Sequence, residues 1–405
     1  MEVMLCASRK GLALWMFLFV KLFELVLCDA PISDDASDAG CCSTSRFPSS
    51  TPLSTTAEVS SSSSFSRPLS DVGTYKLEPA NMVLLPEGTY RKGWSRPETS
   101  STSASSEHWS TFTPDPHDEE DVLSTHTLTE FYMDAHPVSV SDYYEYLKTC
   151  GASPACSEYR PTTTLFNDSF IFVEQLSDKS LVGGDAHEQV SWWVSASNVR
   201  WNNPRGDLDG VVNGGNGTIP SAPPEDLLDH PVTHVSHFDA QHFCHWRSQY
   251  DRLALGMDGF ETRLPTEVEW EYAARGGKSS RVFPWGNIEL SKSGGSSRYR
   301  ANYFQGTFPY GNAASDGYKF TSPRYAFPPQ NAFGLYDMVG NVWEWTATPG
   351  GDGFVKKGGS FLCHFSYCFR YRNAARSFNS PDTTSSNLGF RCIHAPVDDH
   401  VAVEA

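Results

Sequence analysis

Two cysteines that could bind a soft metal or carry out redox chemistry lie five residues apart in residues 357–372, which read KGGSFLCHFSYCFRYR. The spacing of Cys363 and Cys368 matches neither the helical period of about 3.6 nor the strand period of about 2, so the thiols converge only on an irregular backbone. Two thiolates without a second pair at motif spacing favour Cu(I) or a redox-active pair over a four-ligand zinc site. A structural disulfide is the commoner use of such cysteines, and the residues alone leave it open.

Charged side chains near these cysteines suggest two further kinds of site. Four arginines lie nearby, and they could neutralise thiolates or hold a peptide, although internal ion pairs are their commoner use; they are Arg370, Arg372, Arg376 and Arg391. An oxygen-rich group is formed by Asp316 and the segment 337–344, DMVGNVWE. Carboxylates on glycine-bent backbone, where carbonyls can also point inward, suit a hard cation such as Ca²⁺.

The elements that must position these residues can be predicted from start and stop signals. Three capping pairs predict helices: Ser139 with Asp142 before 143–148, Ser236 with Asp239 before a helix through Cys244 and Trp246, and Thr266 with Glu269 before a helix that stops at 276–277. Short strands are predicted at 82–85, 128–133 and 169–173. From residue 283 onward Gly, Pro and Asn recur too often for long regular elements. The predicted fold class is therefore α+β, with a low content of regular secondary structure.

The chain divides into a secretory leader, a linker, one large domain and a tail. Residues 1–30 carry a basic start and an apolar stretch, which predict a signal peptide, with a retained signal anchor as the alternative. Residues 31–77 are rich in Ser, Thr and Pro and predict a disordered linker, while 78–396 form the domain and 397–405 the tail. Residues 95–121, which end in an acidic run, are predicted to be a surface insertion. The net charge of −17 excludes general nucleic-acid binding.

A secretory route also fits the cysteines and the glycosylation sequons. Removal of residues 1–30 leaves eight of the ten cysteines, an even number suited to an oxidising compartment. Spacing does not fix the pairing, although a turn between Cys150 and Cys156 makes a local bridge reasonable, and Cys41 and Cys42 stay unassigned. Sequons at Asn167 and Asn216 predict N-glycosylation.

Several sequence blocks taken together resemble one known family. They are, in chain order, RLPTEVEWEY at 263–272, FPWGN at 283–287, GNVWEW at 340–345, KGGS at 357–360 and NLGFR at 387–391. The chain resembles the formylglycine-generating enzymes, the sulfatase-modifying factors, over roughly residues 80–394. The resemblance implies a C-type-lectin-like variant fold, with residues 78–396 as its catalytic domain. It also implies an oxidoreductase of the endoplasmic reticulum lumen that is not membrane-spanning and acts on newly made, unfolded sulfatases.

The resemblance assigns the chemistry to the two-cysteine segment. The implied reaction converts the cysteine of a Cys-x-Pro-x-Arg sequence to Cα-formylglycine, with Cu(I), O₂ and a thiol reductant, and luminal redox chaperones are implied partners. Cys363 and Cys368 would hold the copper, and Ser360 and His364 fall on active-site positions for handling oxygen or water. Two further residues fall near the substrate groove; they are Arg376 and Asn387.

Two calcium sites are also implied by the resemblance. The first would use the side chains of Asn302 and Asp316 with the carbonyls of Tyr303 and Tyr318. The ligands of the second would be Asp337, Gly340, Val342 and Glu344. Asp337 stands where the family has Asn, and because both supply oxygen we expect the site to persist.

The departures from the family bear on disulfides and on rival functions. Cys244 and Cys392 match one of two family disulfides, whereas Ala274 and Asn373 replace both halves of the other. The connection between residues 345 and 355 is shorter than the family leads us to expect.

The alternative function is a non-catalytic paralogue that binds sulfatases and regulates the oxidase, but such paralogues lack the two active cysteines. An iron-dependent sulfoxide synthase would need a helical domain that this chain lacks, and a lectin-like binding module stays open on fold alone.

Overall fold

The computed structural model describes residues 81–95, 112–114, 118–152, 159–172, 193–204, 222–255, 259–287, 299–366 and 368–397. The helices in these ranges are α1 (Val140–Ala152), α2 (Thr162–Phe166), α3 (His237–Leu255) and α4 (Glu267–Arg275), with a short 3-10 helix at Glu225–Leu227. The strands are β1 (Met82–Leu85), β2 (Gly88–Lys92), β3 (Ser124–Leu128), β4 (Phe131–Asp134), β5 (Asp168–Phe172), β6 (Trp193–Ser197), β7 (Phe260–Arg263), β8 (Gly306–Thr307), β9 (Tyr310–Asn312), β10 (Trp343–Gly350), β11 (Gly353–Lys357), β12 (Arg376–Asn379), β13 (Leu388–Phe390) and β14 (Ile393–Pro396). The α+β prediction is confirmed.

The three predicted helices form, and each begins at its predicted cap. Ser139 and Asp142 exchange hydrogen bonds before α1, so that helix begins at residue 140, earlier than the predicted 143. The same exchange between Ser236 and Asp239 starts α3. Thr266 forms a full capping box at α4, which ends at Gly276 in the left-handed conformation. Local side chains that satisfy the first backbone N–H groups therefore fix all three starts.

Two four-stranded sheets organise the domain. The first has the order β1-β4-β14-β7 and is antiparallel throughout. The second has the order β12-β11-β10-β13, in which β10 pairs with β13 in parallel and the other neighbours are antiparallel. The second sheet bears most directly on the site, because the two-cysteine segment leaves from the end of β11 and returns at β12.

Some strand predictions are wrong in detail. Residues 128–133 do not form one strand, because β3 ends at Leu128 in a pair with β2 and β4 begins at Phe131 in a pair with β1. The predicted strand 169–173 is shifted by one residue. The connection between 345 and 355 is largely a hairpin, since β10 runs to Gly350 and β11 begins at Gly353. Cross-strand pairing with distant partners decides these boundaries, and local composition does not contain that information.

The core lies between the sheets and the long helices and is rich in aromatic rings. Trp270, Trp343 and Trp345 are fully buried. The predicted disulfide between Cys244 and Cys392 is present, and it joins α3 to the short connection between β13 and β14. Cys150 is also disulfide-bonded, and the suggested partner Cys156 lies outside the described residues. Within the described ranges every helix is too short or too polar to cross a bilayer.

Candidate active site

The two-cysteine segment starts from a double-glycine turn at the end of β11. Gly358 and Gly359 both have positive φ values, +94° and +69°. A Cβ on Gly359 would lie 3.0 Å from the carbonyl oxygen of Arg370 and 3.0 Å from the backbone nitrogen of Tyr371. The turn therefore needs glycine both for its conformation and for its close approach to the returning chain.

Cys363 and Cys368 meet because the segment folds as consecutive tight turns. The Cys363 N–H donates to the Ser360 carbonyl at 2.9 Å, and the Cys368 N–H donates to the His364 carbonyl at 2.7 Å. Both cysteines are buried, and their sulfur atoms lie 2.7 Å apart. The Ser360 N–H points at Cys363 Sγ at 3.4 Å. The predicted convergence of the two cysteines on irregular backbone is confirmed.

Ser360 and Asn387 also lie together at this site. The Asn387 side-chain amide donates to Ser360 Oγ at 2.9 Å across 27 residues of sequence. The Asn387 side-chain carbonyl accepts from Ser385 Oγ at 2.9 Å, and its backbone carbonyl accepts from Trp343 N–H at 2.8 Å. Asn387 thus fixes the orientation of the serine hydroxyl three residues before Cys363.

His364 lies between the two cysteines and points toward aromatic rings. Its Nδ1 accepts from the Ser366 N–H at 3.3 Å and lies 2.7 Å from Ser366 Oγ. With Nδ1 accepting from the Ser366 N–H, a neutral His364 ring would carry its proton on Nε2. The ring meets Phe304 edge-on, and the next residue, Phe365, is 43% exposed. His364 therefore stands at the boundary between the buried thiols and the surface.

The arginines near the cysteines form internal ion pairs, which was the commoner of the predicted uses. Arg370 lies 2.6 Å from Asp118, and Arg372 makes a two-point contact with Glu120 at 2.7 and 2.9 Å. Asp118 and Glu120 are both buried, so the prediction that 95–121 is a surface insertion is wrong for these two residues, whereas Glu119 and Asp121 are exposed. No local sequence signal marks these partners, since they lie 252 residues away from the arginines.

Arg376, predicted to lie near the substrate groove, is the first residue of β12. Its guanidinium lies 3.0 Å from Glu267 and 3.1 Å from Glu119, and the residue is buried. Arg391 makes a two-point contact with Glu344 at 2.7 Å per bond, and both are fully buried. The four arginines therefore serve mainly to join segments that are distant in sequence.

A buried charge cluster supports the start of the active segment, and sequence analysis did not identify it. Lys357 Nζ lies 3.1 Å from Glu271 and 3.5 Å from Glu267. Arg275 donates to Glu271 at 2.8 and 2.9 Å. Burial raises the pKa of Glu271, but Lys357, Arg275 and Lys92 outweigh it and hold that pKa at about 2. The cluster thus ties β11 to α4 immediately before the double glycine.

Three residues of the first predicted calcium set, Tyr303, Asp316 and Tyr318, are in contact with one another. Asp316 accepts from the Tyr303 and Tyr318 N–H groups at 3.3 and 2.9 Å. The Gln305 amide donates both to Asp316 and to the Tyr303 carbonyl. Asn302 Oδ1 is buried and, among the described residues, has no hydrogen-bond partner. A buried oxygen without a partner is what a hard cation would satisfy, and Asp316 adds a carboxylate to the set, so the residue types fit calcium.

The second predicted calcium set adjoins the first. A Cβ on Gly340 would lie 2.5 Å from the Asn302 carbonyl oxygen, so the two backbones are in contact. Burial raises the pKa of Asp337 to about 6, although Asn341 donates to its carboxylate at 3.2 Å. Because Arg391 already neutralises Glu344, the set depends on Asp337 for its net negative charge. Within the described ranges no three His, Cys, Asp or Glu residues group as a metal site.

A mostly apolar cavity of about 240 Å³ opens beside the active segment. Two of its lining residues, Phe361 and Leu362, directly precede Cys363. Rings and polar groups from other elements complete it, among them Phe172, Phe304 and Phe320, with Lys319 and His230. The cavity could accept an apolar side chain beside Phe361 and Leu362, and no sequence motif marked it.

Of the two predicted glycosylation residues, only Asn167 lies within the described part of the chain. Asn167 is exposed at the C-terminal end of α2, in the left-handed conformation that Asn tolerates. Its side-chain oxygen accepts from Arg200 at 2.7 Å. Asn216 lies outside the described residues, as do the predicted signal peptide and linker and residues 398–405 of the predicted tail.

The chain is similar in sequence to several known proteins. A family model described as "Sulfatase-modifying factor enzyme 1-like domain" matches residues 70–396. Formylglycine-generating enzyme of Mus musculus is 40% identical over 296 residues, covering 67% of this chain and 68% of that protein. The Bos taurus enzyme is 36% identical over 334 residues, covering 78% and 74%. "Inactive C-alpha-formylglycine-generating enzyme 2" of Bos taurus is 35% identical over 322 residues, covering 78% and 88%.

Proposed function

The chain belongs to the sulfatase-modifying factor family, and we propose that it is an active formylglycine-generating oxidase that activates sulfatases. Its substrate is the cysteine of a Cys-x-Pro-x-Arg sequence in newly made, unfolded sulfatases, and its product is Cα-formylglycine. The alternative is a non-catalytic paralogue that binds sulfatases. Because active and inactive relatives are similarly close, overall identity does not choose between them.

The observation that carries the proposal is the buried pair of thiols 2.7 Å apart. Sulfur ligands select Cu(I), and copper bound here would supply one-electron chemistry with O₂. The protein's own part is to hold the two thiols at one point, shield them from solvent and leave room for a third sulfur from the substrate. A non-catalytic paralogue would not need to retain both cysteines.

The reaction balances with a thiol reductant. Oxidation of the substrate's C–H and S–H bonds gives a thioaldehyde and supplies two electrons, and the reductant supplies two more, so that O₂ is reduced to water. Hydrolysis of the thioaldehyde then gives the aldehyde and releases sulfide. We assign handling of oxygen or water to Ser360, oriented by Asn387, and to His364, whose Nε2–H can donate to an oxygen atom.

The substrate peptide binds along the surface beside His364. The cavity lined by Phe361 and Leu362 would take an apolar side chain that neighbours the target cysteine. Asn387 and Arg376 stay the predicted groove residues. Since Arg376 is held by Glu267 and Glu119, its role would be to fix the groove wall.

We further propose that the protein works in the endoplasmic reticulum lumen with two bound Ca²⁺ ions. The Cys244–Cys392 disulfide suits an oxidising compartment, and the exposure of Asn167 suits a glycoprotein. Luminal redox chaperones would supply the thiol reductant. The orphaned Asn302 oxygen supports the first calcium site.

Mass spectrometry of a Cys-x-Pro-x-Arg peptide tests the proposal directly. The peptide is incubated with the purified protein, Cu(I), a thiol reductant and O₂, and Cys363→Ser and Cys368→Ser proteins serve as matched controls. Aldehyde formation by the wild-type protein alone would establish the oxidase. Retention of the peptide without conversion would replace it with the sulfatase-binding alternative.

A further inference from the structure

We propose that Glu120 is a positioning residue for the Cys363–Cys368 pair, acting through Arg372. The inference rests on the proposed function only in taking this pair as the metal-binding thiols. The acidic end of the segment that precedes β3 reaches the chain just after Cys368 and binds it there. The sequence separates these partners by 252 residues, so only the tertiary structure brings them together.

The contact between Glu120 and Arg372 is both complete and buried. Each carboxylate oxygen of Glu120 accepts from a different terminal nitrogen of Arg372, at 2.7 and 2.9 Å. The two side chains are each 1% exposed. Such a two-point contact fixes the plane of the guanidinium as well as its position.

The same guanidinium holds the backbone next to Cys368. Arg372 Nε donates to the Phe369 carbonyl at 2.6 Å, and Phe369 directly follows Cys368. The connection therefore runs from the Glu120 carboxylate through Arg372 to the peptide beside the cysteine. Arg370, one residue further on, is held by Asp118 from the same acidic run.

Aromatic rings enclose this arrangement. The Arg372 guanidinium carbon lies 3.8 Å from the centre of the Phe112 ring and 5.1 Å from those of Trp94 and Phe369. Phe112 also meets Phe369 edge-on. Because rings cover the guanidinium on several sides, water cannot readily replace the Glu120 carboxylate if it is removed.

Loss of the Glu120 carboxylate should weaken the two processes that need both sulfurs at once, Cu(I) binding and disulfide formation. A supporting residue outside the ligand set typically changes metal affinity by about 10- to 100-fold when it is lost. We expect Glu120→Gln to lower Cu(I) affinity about 10-fold. We expect a comparable fall, about 10-fold, in the equilibrium constant for closing Cys363–Cys368 to a disulfide, because that constant also depends on their relative placement.

Two measurements on the purified protein test this without substrate or O₂. The dithiol–disulfide equilibrium is measured in glutathione buffers by thiol trapping and mass spectrometry, and Cu(I) affinity is measured by competition with bathocuproine disulfonate. Glu119→Gln is the matched control, because Glu119 is an exposed neighbour that contacts Arg376 instead. Glu269→Gln is the control for general destabilisation, since it removes a helix cap and an ion pair with Arg263 elsewhere.

The proposal predicts a shift in both constants for Glu120→Gln and none for either control. Glu120→Asp, which keeps the charge, should give a smaller shift, and it alone decides the matter if the Gln variant does not fold. Unchanged constants in the folded Glu120 variants, or an equal shift in Glu269→Gln, would overturn the proposal. Failure of the wild-type protein to make aldehyde would count against the oxidase and leave this result intact.

Discussion

Replacement of Glu271 by glutamine tests the buried charge cluster that supports the active segment. The Glu271 carboxylate is fully buried and accepts from Lys357 at 3.1 Å, from Arg275 at 2.8 and 2.9 Å and from the Gly93 N–H at 2.8 Å. The variant Glu271→Gln keeps the shape of the side chain and removes its charge. Lys357 and Arg275 are then left in the interior without their shared counter-charge.

The magnitude follows from how strongly the cations favour the charged carboxylate. They hold the Glu271 pKa at about 2, against an ordinary value of 4.5. Each pKa unit corresponds to about 1.4 kcal/mol, so the shift amounts to about 3 kcal/mol of folding free energy at neutral pH. Loss of one partner from a buried ion pair typically costs about 3–5 kcal/mol. We therefore expect Glu271→Gln to lower the free energy of unfolding by about 3 kcal/mol.

A second variant separates this reasoning from a simple loss of contacts. Lys357→Met leaves Glu271 paired with Arg275, and it leaves Glu267 paired with Lys92 at 3.4 Å and Arg376 at 3.0 Å. No carboxylate loses its last cation, so we expect a cost below about 1.5 kcal/mol. The central prediction is that Glu271→Gln lowers the free energy of unfolding more than Lys357→Met does.

Urea unfolding as a function of pH supplies the assay. Because the folded-state pKa of Glu271 is depressed, its contribution is fully present above the unfolded pKa of about 4.5 and is lost as pH falls toward about 2. The difference between wild type and Glu271→Gln should therefore shrink across that window. A difference that is independent of pH, or a larger cost for Lys357→Met, would refute the reasoning.

Three further predictions concern the site, its pH dependence and its cation. Asn387→Ala removes the donor to Ser360 Oγ and should slow aldehyde formation at least about 10-fold, measured as initial rates with the Cys-x-Pro-x-Arg peptide; an unchanged rate would exclude a role for that contact. Burial holds the pKa values of His234 and His237 at about 4. The free energy of unfolding should therefore fall as pH drops from about 6.5 toward 4. Urea unfolding of His237→Gln should show a weaker fall over the same range. Calcium chelation should lower the thermal midpoint of the wild type, and a shift of the same size in Asp316→Ala would exclude Asp316 as a ligand.

Features that depend on neighbours along the chain could be predicted from the amino-acid sequence. Ser139, Ser236 and Thr266 start helices because a cap needs only a partner three residues on. The closeness of the two thiols also has a local cause, since the double glycine and the tight turns between Ser360 and Cys368 lie in one short segment. The family resemblance added the Cys244–Cys392 pairing, which spacing alone did not give.

The surroundings of that segment could not be predicted in this way, because they depend on contacts between residues far apart in the chain. The partners of Arg372, Lys357 and Ser360 lie 252, 86 and 27 residues away, and no periodicity relates them. The acidic run at 118–121 has the composition of a solvated loop, yet Asp118 and Glu120 are buried because arginines from the far end of the chain neutralise them. The physical reason is that burial of a charge depends on a counter-charge brought close in space, which composition does not reveal.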